Sequence, residues 1–315
     1  MNASAFPSLA PTAAQRETIR LRVLSLGAGV QSTTLALMAA HGEIGPMPDC
    51  AIFADTGWEP QAVYEHLAWL RSPNVLPFPV HLVSAGDLRA DLLAGAQGDR
   101  WASIPAFTRN VTPAGTELPV YDEDENGELV IVGSRILQTD RVGVGMIRRQ
   151  CTGDYKITPI RRKVREMLGL TRRRSPSSPI AEQWIGISLD EALRMKPSFE
   201  PWQINRWPLI ELGITRLDCL HWLARNDYPV PPKSACIGCP FHSDDHWRQM
   251  RDHDSAAWTD AVNVDHAIRT GFRGIRGQVY LHRSAVPFDL ADLSTEADRG
   301  QLDLWPNECE GMCGV

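Results

Sequence analysis

The stretch Leu21–Ala40 reads LRVLSLGAGVQSTTLALMAA. Its opening, LRVLSL, is a short apolar run after a polar tail, which predicts a buried strand. Gly27, Ala28 and Gly29 break the run. Ser32–Ala40 (STTLALMAA) then has helix-forming composition and stops near Gly42, a residue suited to a helix C-cap. A glycine-containing loop between a strand and a helix is a place for an anion. Glycines let the backbone come close, and the helix start offers unpaired N–H groups and the positive end of its dipole. Ser32, Thr33 and Thr34 add hydroxyl donors, and Ser25, Gly27, Gly29 and Gln31 complete the candidate phosphate loop. It is not a Walker A loop, because it has no Lys. Ser32 stands where a full Gly-x-Gly-x-x-Gly would place its last glycine. The alternative is an ordinary tight turn.

The pattern repeats outward from this stretch. Cys50–Ala54 (CAIFA) is a second short apolar run, closed by Asp55, Thr56 and Gly57. Pro60–Leu70 follows as a helix, with Val63, Leu67 and Leu70 on one face. Pro79–Val83 is a third strand candidate. Strands alternating with helices over such short distances predict a parallel α/β sheet that binds its ligand at the strand C-termini. Residues 95–147 are rich in Gly, Pro and Thr and carry the acidic run Asp122–Glu125, which reads as an insertion or lid. Residues 148–174 turn basic, with a helix expected over Ile160–Leu170. Gln183–Ile187 is a further strand candidate, and helices are expected near 215–226 and 244–253.

The expected organisation is a tail over 1–20, a nucleotide-binding α/β domain over 21–200, and a Cys-rich, mostly helical region over 201–315. With 43% hydrophobic and 22% charged residues, the 315-residue chain has globular composition rather than that of a disordered one. No window approaches the ~18 apolar residues of a transmembrane helix, and the first twenty residues lack a secretory pattern, so no membrane partner and a cytoplasmic location are expected. The net charge of −6 argues against a whole-protein grip on nucleic acid, though not against a local basic patch.

Seven cysteines in such a chain need a reason other than disulfides. Cys236-Ile-Gly-Cys239-Pro is a CxxC on a Gly-containing turn, able to grip one metal ion or one edge of a cluster. Zinc, iron–sulfur and dithiol chemistry all stay open. His242 and His246 follow at i, i+4 spacing and would complete a zinc set with Cys236 and Cys239, although the two ligand pairs sit much closer together than the usual ~12 residues. Cys309 and Cys313 lie in the last seven residues, where a tail thiolate would swing toward a site, relay sulfur or form a regulatory disulfide.

Taken in order, these segments resemble a known family. Ser25–Thr34 is similar to the pyrophosphate loop (PP-loop) of the adenine nucleotide α-hydrolase superfamily, most closely that of its phosphoadenosine phosphosulfate reductase-like branch. Phe53–Pro60 (FADTGWEP) resembles that branch's second-strand signature, and Arg149–Ile160 its Cys and Lys-x-x-Pro element. Gly186–Arg194 resembles its Gly-Ile-Arg-x-x-Glu-Ser-x-x-Arg element, and Trp207–Ile210 its Pro-Leu/Ile-x-x-Trp region. The matches run from about 21 to 240. Gln31 stands in the position of the family's Asp, and Ser188 in that of an Arg.

The resemblance implies a doubly wound, mainly parallel sheet and an adenine nucleotide, ATP or a sulfonucleotide, with Mg²⁺. It implies nucleotide contacts from the loop and from Asp55, Thr56, Gly57, Arg149, Gly186, Glu191 and Arg194, with Lys156 neutralising charge in the transition state. It makes Cys151 the third ligand beside Cys236 and Cys239 of a 4Fe-4S cluster, with zinc as the alternative; Cys219, Cys309 or Cys313 would supply a fourth ligand, or one iron would stay open to hold a sulfide. Two activities follow. One is ATP-dependent sulfur transfer to a nucleic-acid or small-molecule acceptor, served by a sulfur or electron donor protein. The other is sulfonucleotide reduction with Cys309 as the attacking thiol. A zinc-stabilised nucleotide-binding module without turnover is the non-enzymatic alternative.

Overall fold

The computed structural model describes residues 17–98, 104–170, 174–295, 298 and 300, so Cys309 and Cys313 lie outside the described residues. The chain opens with β1 (Leu21–Ser25), α1 (Val30–Ala40), β2 (Cys50–Asp55), α2 (Gln61–Leu70), β3 (Val80–Ser84) and α3 (Leu88–Ala96). The segment expected as an insertion holds β4 (Phe107–Thr112), β5 (Glu117–Glu123), β6 (Leu129–Ile136) and β7 (Arg141–Met146). A π-helical turn, Thr152–Ile157, runs into α4 (Thr158–Met167), followed by β8 (Ala181–Ile185), a 3₁₀ turn (Leu189–Arg194) and β9 (Gln203–Arg206). α5 (Pro208–Glu211), α6 (Arg216–Arg225), α7 (Asp244–His253), α8 (Ser255–Ala267), β10 (Gln278–Tyr280) and a last 3₁₀ turn (Phe288–Leu290) follow.

β3, β2, β1, β8 and β9 form one five-stranded sheet in that order, with every neighbouring pair parallel. The fold is therefore α/β. Side chains alternate across the sheet, so its central strands feed two cores. Leu24, Ala51, Phe53 and Trp184 pack on one face with α1, α2 and α6. Val23, Cys50, Ile52 and Ala181 pack on the other with Ile160 and Val164 of α4. Val30 to Ala39 of α1 are all buried, because this helix is enclosed by the sheet, α2 and α6. That explains the small and apolar residues all round it. Each fully buried Leu there, such as Leu35 and Leu37, contributes on the order of 1.5–3 kcal/mol relative to exposure.

The chain steps from β1 to β2 to β3 in one direction, then returns through β8 to β9 in the other. The reversal lies between β1 and β8, and such a switch point opens a crevice at the C-terminal ends of the strands.

The segment expected as an insertion is structured and shared with the C-terminal region. β4 pairs antiparallel with β7, and β10, from far along the chain, pairs with β4. Val279 and Leu281 join Ile104, Leu88, Leu92, Val264 and Ile268 in one core that also takes Trp58 and Tyr155. β5 and β6 form a separate two-stranded ribbon whose β6 residues are all exposed. Among the described residues no helix is long and apolar enough to cross a membrane.

Candidate functional site

A cavity of about 430 Å³ opens at the switch point. Its floor is the β1–α1 loop: Ser25, Gly27, Gly29, Gln31 and Ser32 all line it, as do Gly186 and Ile187 just after β8. Gly186 is required here, because a Cβ at that position would stand 2.9 Å from the backbone of Ser32. Within the loop the left-handed residue is Ala28 (φ 56), not a glycine. Ser32 closes the turn: its Oγ accepts from the Gly27 N–H at 3.2 Å and donates to the Gly29 carbonyl at 3.3 Å. Among the described residues no side chain caps the N-terminus of α1. Its start lies at the cavity, and the first N–H groups of a helix have no partner within the helix, an arrangement that favours an anion.

The triple hydroxyl expected at this loop is reduced to one. Thr33 and Thr34 are fully buried, and neither lines the cavity. Thr33 Oγ1 meets His66 Nε2 at 3.0 Å, and Thr34 Oγ1 donates to the Val30 carbonyl at 2.9 Å. They anchor α1 rather than face a ligand. Asp55, Thr56 and Gly57 also stay out of the cavity. Asp55 Oδ1 accepts from the Gly57 N–H at 2.8 Å and from the Tyr64 hydroxyl at 2.9 Å.

Charge dominates the walls. Lys156, Arg161, Arg194, Lys196, Arg216 and Lys233 line the cavity, against Glu59, Glu191 and Glu200. Each carboxylate has its own cation: Lys156 lies 3.6 Å from Glu59, Arg161 lies 2.8 Å from Glu200, and Arg194 pairs with Glu191. Lys196, Arg216 and Lys233 make no ion pair with a described residue. A chain of net charge −6 thus concentrates a positive surplus in one concave site. Phe199, 95% exposed, presents an aromatic face among the lining residues.

A second, smaller cavity of about 30 Å³ adjoins the first. Cys151, Cys236 and Cys239 line it together, with Thr56, Thr152, Arg149 and Phe241. Arg149 therefore lines the cysteine cavity and not the one at the β1–α1 loop; its Nε donates to Thr152 Oγ1 at 2.7 Å, and its guanidinium lies over the Phe241 ring. Lys156 lines both cavities. The π-helical turn explains how. Pro159 has no N–H for the carbonyl four residues back, so the helix start widens, and Cys151 and Lys156 are carried on that widened turn.

The CxxC loop is clamped to the loop after β2. The Ile237 N–H donates to the Trp58 carbonyl at 2.8 Å, and Thr56 Oγ1 lies 3.3 Å from Cys236 Sγ. A Cβ on Gly238 would stand 2.0 Å from the Trp58 ring, so only glycine lets that ring cover the loop. Glu59, which sequence reasoning passed over, sits at the junction. Its carboxylate is 4% exposed as a residue and accepts from Thr56 at 3.3 Å and Cys236 Sγ at 3.7 Å, while Oε2 is buried without a hydrogen-bond partner in the structure. Its signal was its place in FADTGWEP, a carboxylate inside a run already singled out.

Cys151, Cys236 and Cys239 share one small cavity with Arg149 and Lys156, and thiolates are the donor type that iron–sulfur clusters use. Among the described residues, however, no three His, Cys, Asp or Glu stand at a spacing that would hold a single metal ion. Neither the trio Cys151, Cys236 and Cys239 nor the set Cys236, Cys239, His242 and His246 stands as such a group. His242 Nε2 bonds the Cys236 carbonyl at 2.9 Å, and its ring lies tilted against that of His246, centroids 4.1 Å apart. Burial lowers the pKa of both, that of His246 to about 4. Cys219, a candidate fourth ligand, lies in the core between α1 and α6, where burial pushes its thiol up to about 12. Burial likewise raises Cys50, in β2, to about 11. Both read as packing residues.

A scan against protein-family models finds no match to the chain, and a search of curated proteins finds none either.

Proposed function

We propose that the chain is an adenine-nucleotide-dependent enzyme of the phosphoadenosine phosphosulfate reductase-like type, with a doubly wound PP-loop sheet, and that it uses ATP to activate an acceptor for sulfur transfer. The observation that carries this reading is the position of Lys156. Lys156 lines both the cavity at the β1–α1 loop and the cavity of the three cysteines. A nucleotide in the first would bring its phosphates within reach of chemistry in the second.

In this reading the open start of α1 and the Ser32 hydroxyl hold the phosphates, and the unpaired cations of the walls balance their charge. Phe199 offers its ring to the adenine or to an acceptor base. The acceptor's carbonyl oxygen attacks the α-phosphorus, pyrophosphate leaves with Mg²⁺, and a sulfur nucleophile then displaces AMP from the activated carbon. Lys156 neutralises the charge that develops on the phosphate oxygens, and Glu59 holds Lys156 in place. Cys151, Cys236 and Cys239 would hold a 4Fe-4S cluster, which when bound supplies a site for sulfide or for electrons.

The test is anaerobic purification with absorption spectroscopy and iron, sulfide and zinc analysis, followed by product assays. The reading expects iron and sulfide in equal amounts, and pyrophosphate release from ATP only when an acceptor is present. Sulfite release from a sulfonucleotide, abolished by Cys309→Ser, would replace it with reduction. Tight nucleotide binding with neither product would make the chain a binding module.

A further inference from the structure

We infer that Arg216, which lies outside every motif above, is the residue that grips the terminal anionic group of the ligand, and that Gln31 is its holder. The inference rests on the nucleotide reading of the cavity and adds to it a specific contact for a phosphate or sulfate end group.

Arg216 lines the cavity, and its Nη1 donates to Gln31 Oε1 at 2.9 Å. Gln31 in turn donates from Nε2 to Glu191 Oε2 at 3.1 Å, and Glu191 pairs with Arg194. The chain of contacts thus runs from the phosphate loop to two arginines. They are not equivalent. Arg194 is neutralised by Glu191. Arg216 is held by a neutral amide and makes no ion pair with a described residue; the nearby Asp190 carboxylate accepts from its backbone N–H.

The backbone fixes the residue further. The Arg216 N–H donates to Asp190 Oδ1 at 2.9 Å, and Thr215 and Asp218 form a reciprocal capping box at the start of α6. That box satisfies donors of the first turn, so the side chain, not the helix end, is what α6 offers the cavity. With one N–H on Gln31, the other donors of the fork remain to meet two oxygens of a tetrahedral anion. Lys196 and Lys233 share the surplus charge, but a flexible ammonium has no such preset geometry.

The experiment is calorimetric titration of the full chain with ATP, AMP, adenosine and inorganic pyrophosphate, for wild type, Arg216→Gln, Gln31→Glu and the double variant. For Arg216→Gln we expect ATP and pyrophosphate affinity to fall roughly 10- to 100-fold, as for loss of one charged hydrogen-bonded contact, with adenosine unchanged. Gln31→Glu keeps Arg216 but pairs it with a carboxylate. It is expected to reproduce most of that loss, and the double variant to be no worse than the single ones. A merely structural Arg216 would lower adenosine and ATP binding alike and would lower the melting temperature. That outcome, or unchanged ATP affinity in Arg216→Gln, overturns the inference while leaving the nucleotide reading intact. Absence of ATP binding in wild type overturns both.

Discussion

Trp58 shows how one side chain fixes a site several loops away. Its ring covers Gly238, and its Nε1 donates to Asp260 at 2.7 Å, so it has little freedom to yield. Gly238→Ala therefore forces a methyl group into a ring held in place. Overpacking of this kind costs about 1–3 kcal/mol, and the displaced loop is the one that carries Cys236 and Cys239. We expect a lower melting temperature and loss of iron and sulfide together. Gly186→Ala presses on the Ser32 backbone instead, and we expect it to weaken ATP binding while sparing iron content. Melting curves and metal analysis of the two variants separate these outcomes; a shared phenotype would show that the two cavities are not independently built. The same contrast explains what the sequence could reveal. Ser25, Gly27, Gly29, Gln31 and Ser32 are neighbours in the chain, so a local motif exposed them. Arg216 reaches Gln31 across 185 positions, and no local pattern announces such a meeting.

Among the elements, α1 is the one most tightly determined. Its expected start at Ser32 was two residues late, since the helix begins at Val30. Its composition announced a helix but not its surroundings. Burial on every side turns Thr33 and Thr34 inward, so hydroxyls that read as ligand donors in the sequence serve packing instead. His66 of α2 is the partner of Thr33, and burial lowers its pKa from 6.5 to about 4. Between those values the unfolded chain binds a proton that the folded chain does not. This contribution is therefore intact above pH 6.5 and is lost progressively as pH falls to about 4. The loss reaches at most about 3 kcal/mol for this group. Denaturant midpoints at neutral pH and near pH 4.5 are expected to fall further for wild type than for His66→Gln, which keeps a hydrogen-bonding group beside Thr33. An equal fall in both would remove His66 from the account.

At the scale of the whole molecule, the alternation of short apolar runs and helices made the parallel sheet legible, and with it the end of the sheet that opens the cavity. The segment over 95–147 was harder. Its Gly, Pro and acidic residues suggested a lid, but β4 owes its place to β10, which lies far beyond it in the chain. Non-local pairing of this kind leaves no periodic signal in either strand alone. The outer ribbon is different again: among the described residues β5 and β6 pair only with each other, and β6 is exposed along its length. Replacing residues 117–136 with a short Gly-Ser turn is therefore expected to change the melting temperature by no more than about 2 °C, since few buried contacts are removed. A large drop would mean that the ribbon supports the core.

The central claim is that phosphates lie against the β1–α1 loop with Lys156 between them and the cysteines. A crystal structure of the protein soaked with a non-hydrolysable ATP analogue and Mg²⁺ tests it most directly. The account predicts phosphate oxygens on the backbone N–H groups at the start of α1 and on Ser32, with the Lys156 and Arg216 side chains in contact with them. A nucleotide bound elsewhere, or one with its base in the loop and its phosphates in solvent, would contradict it.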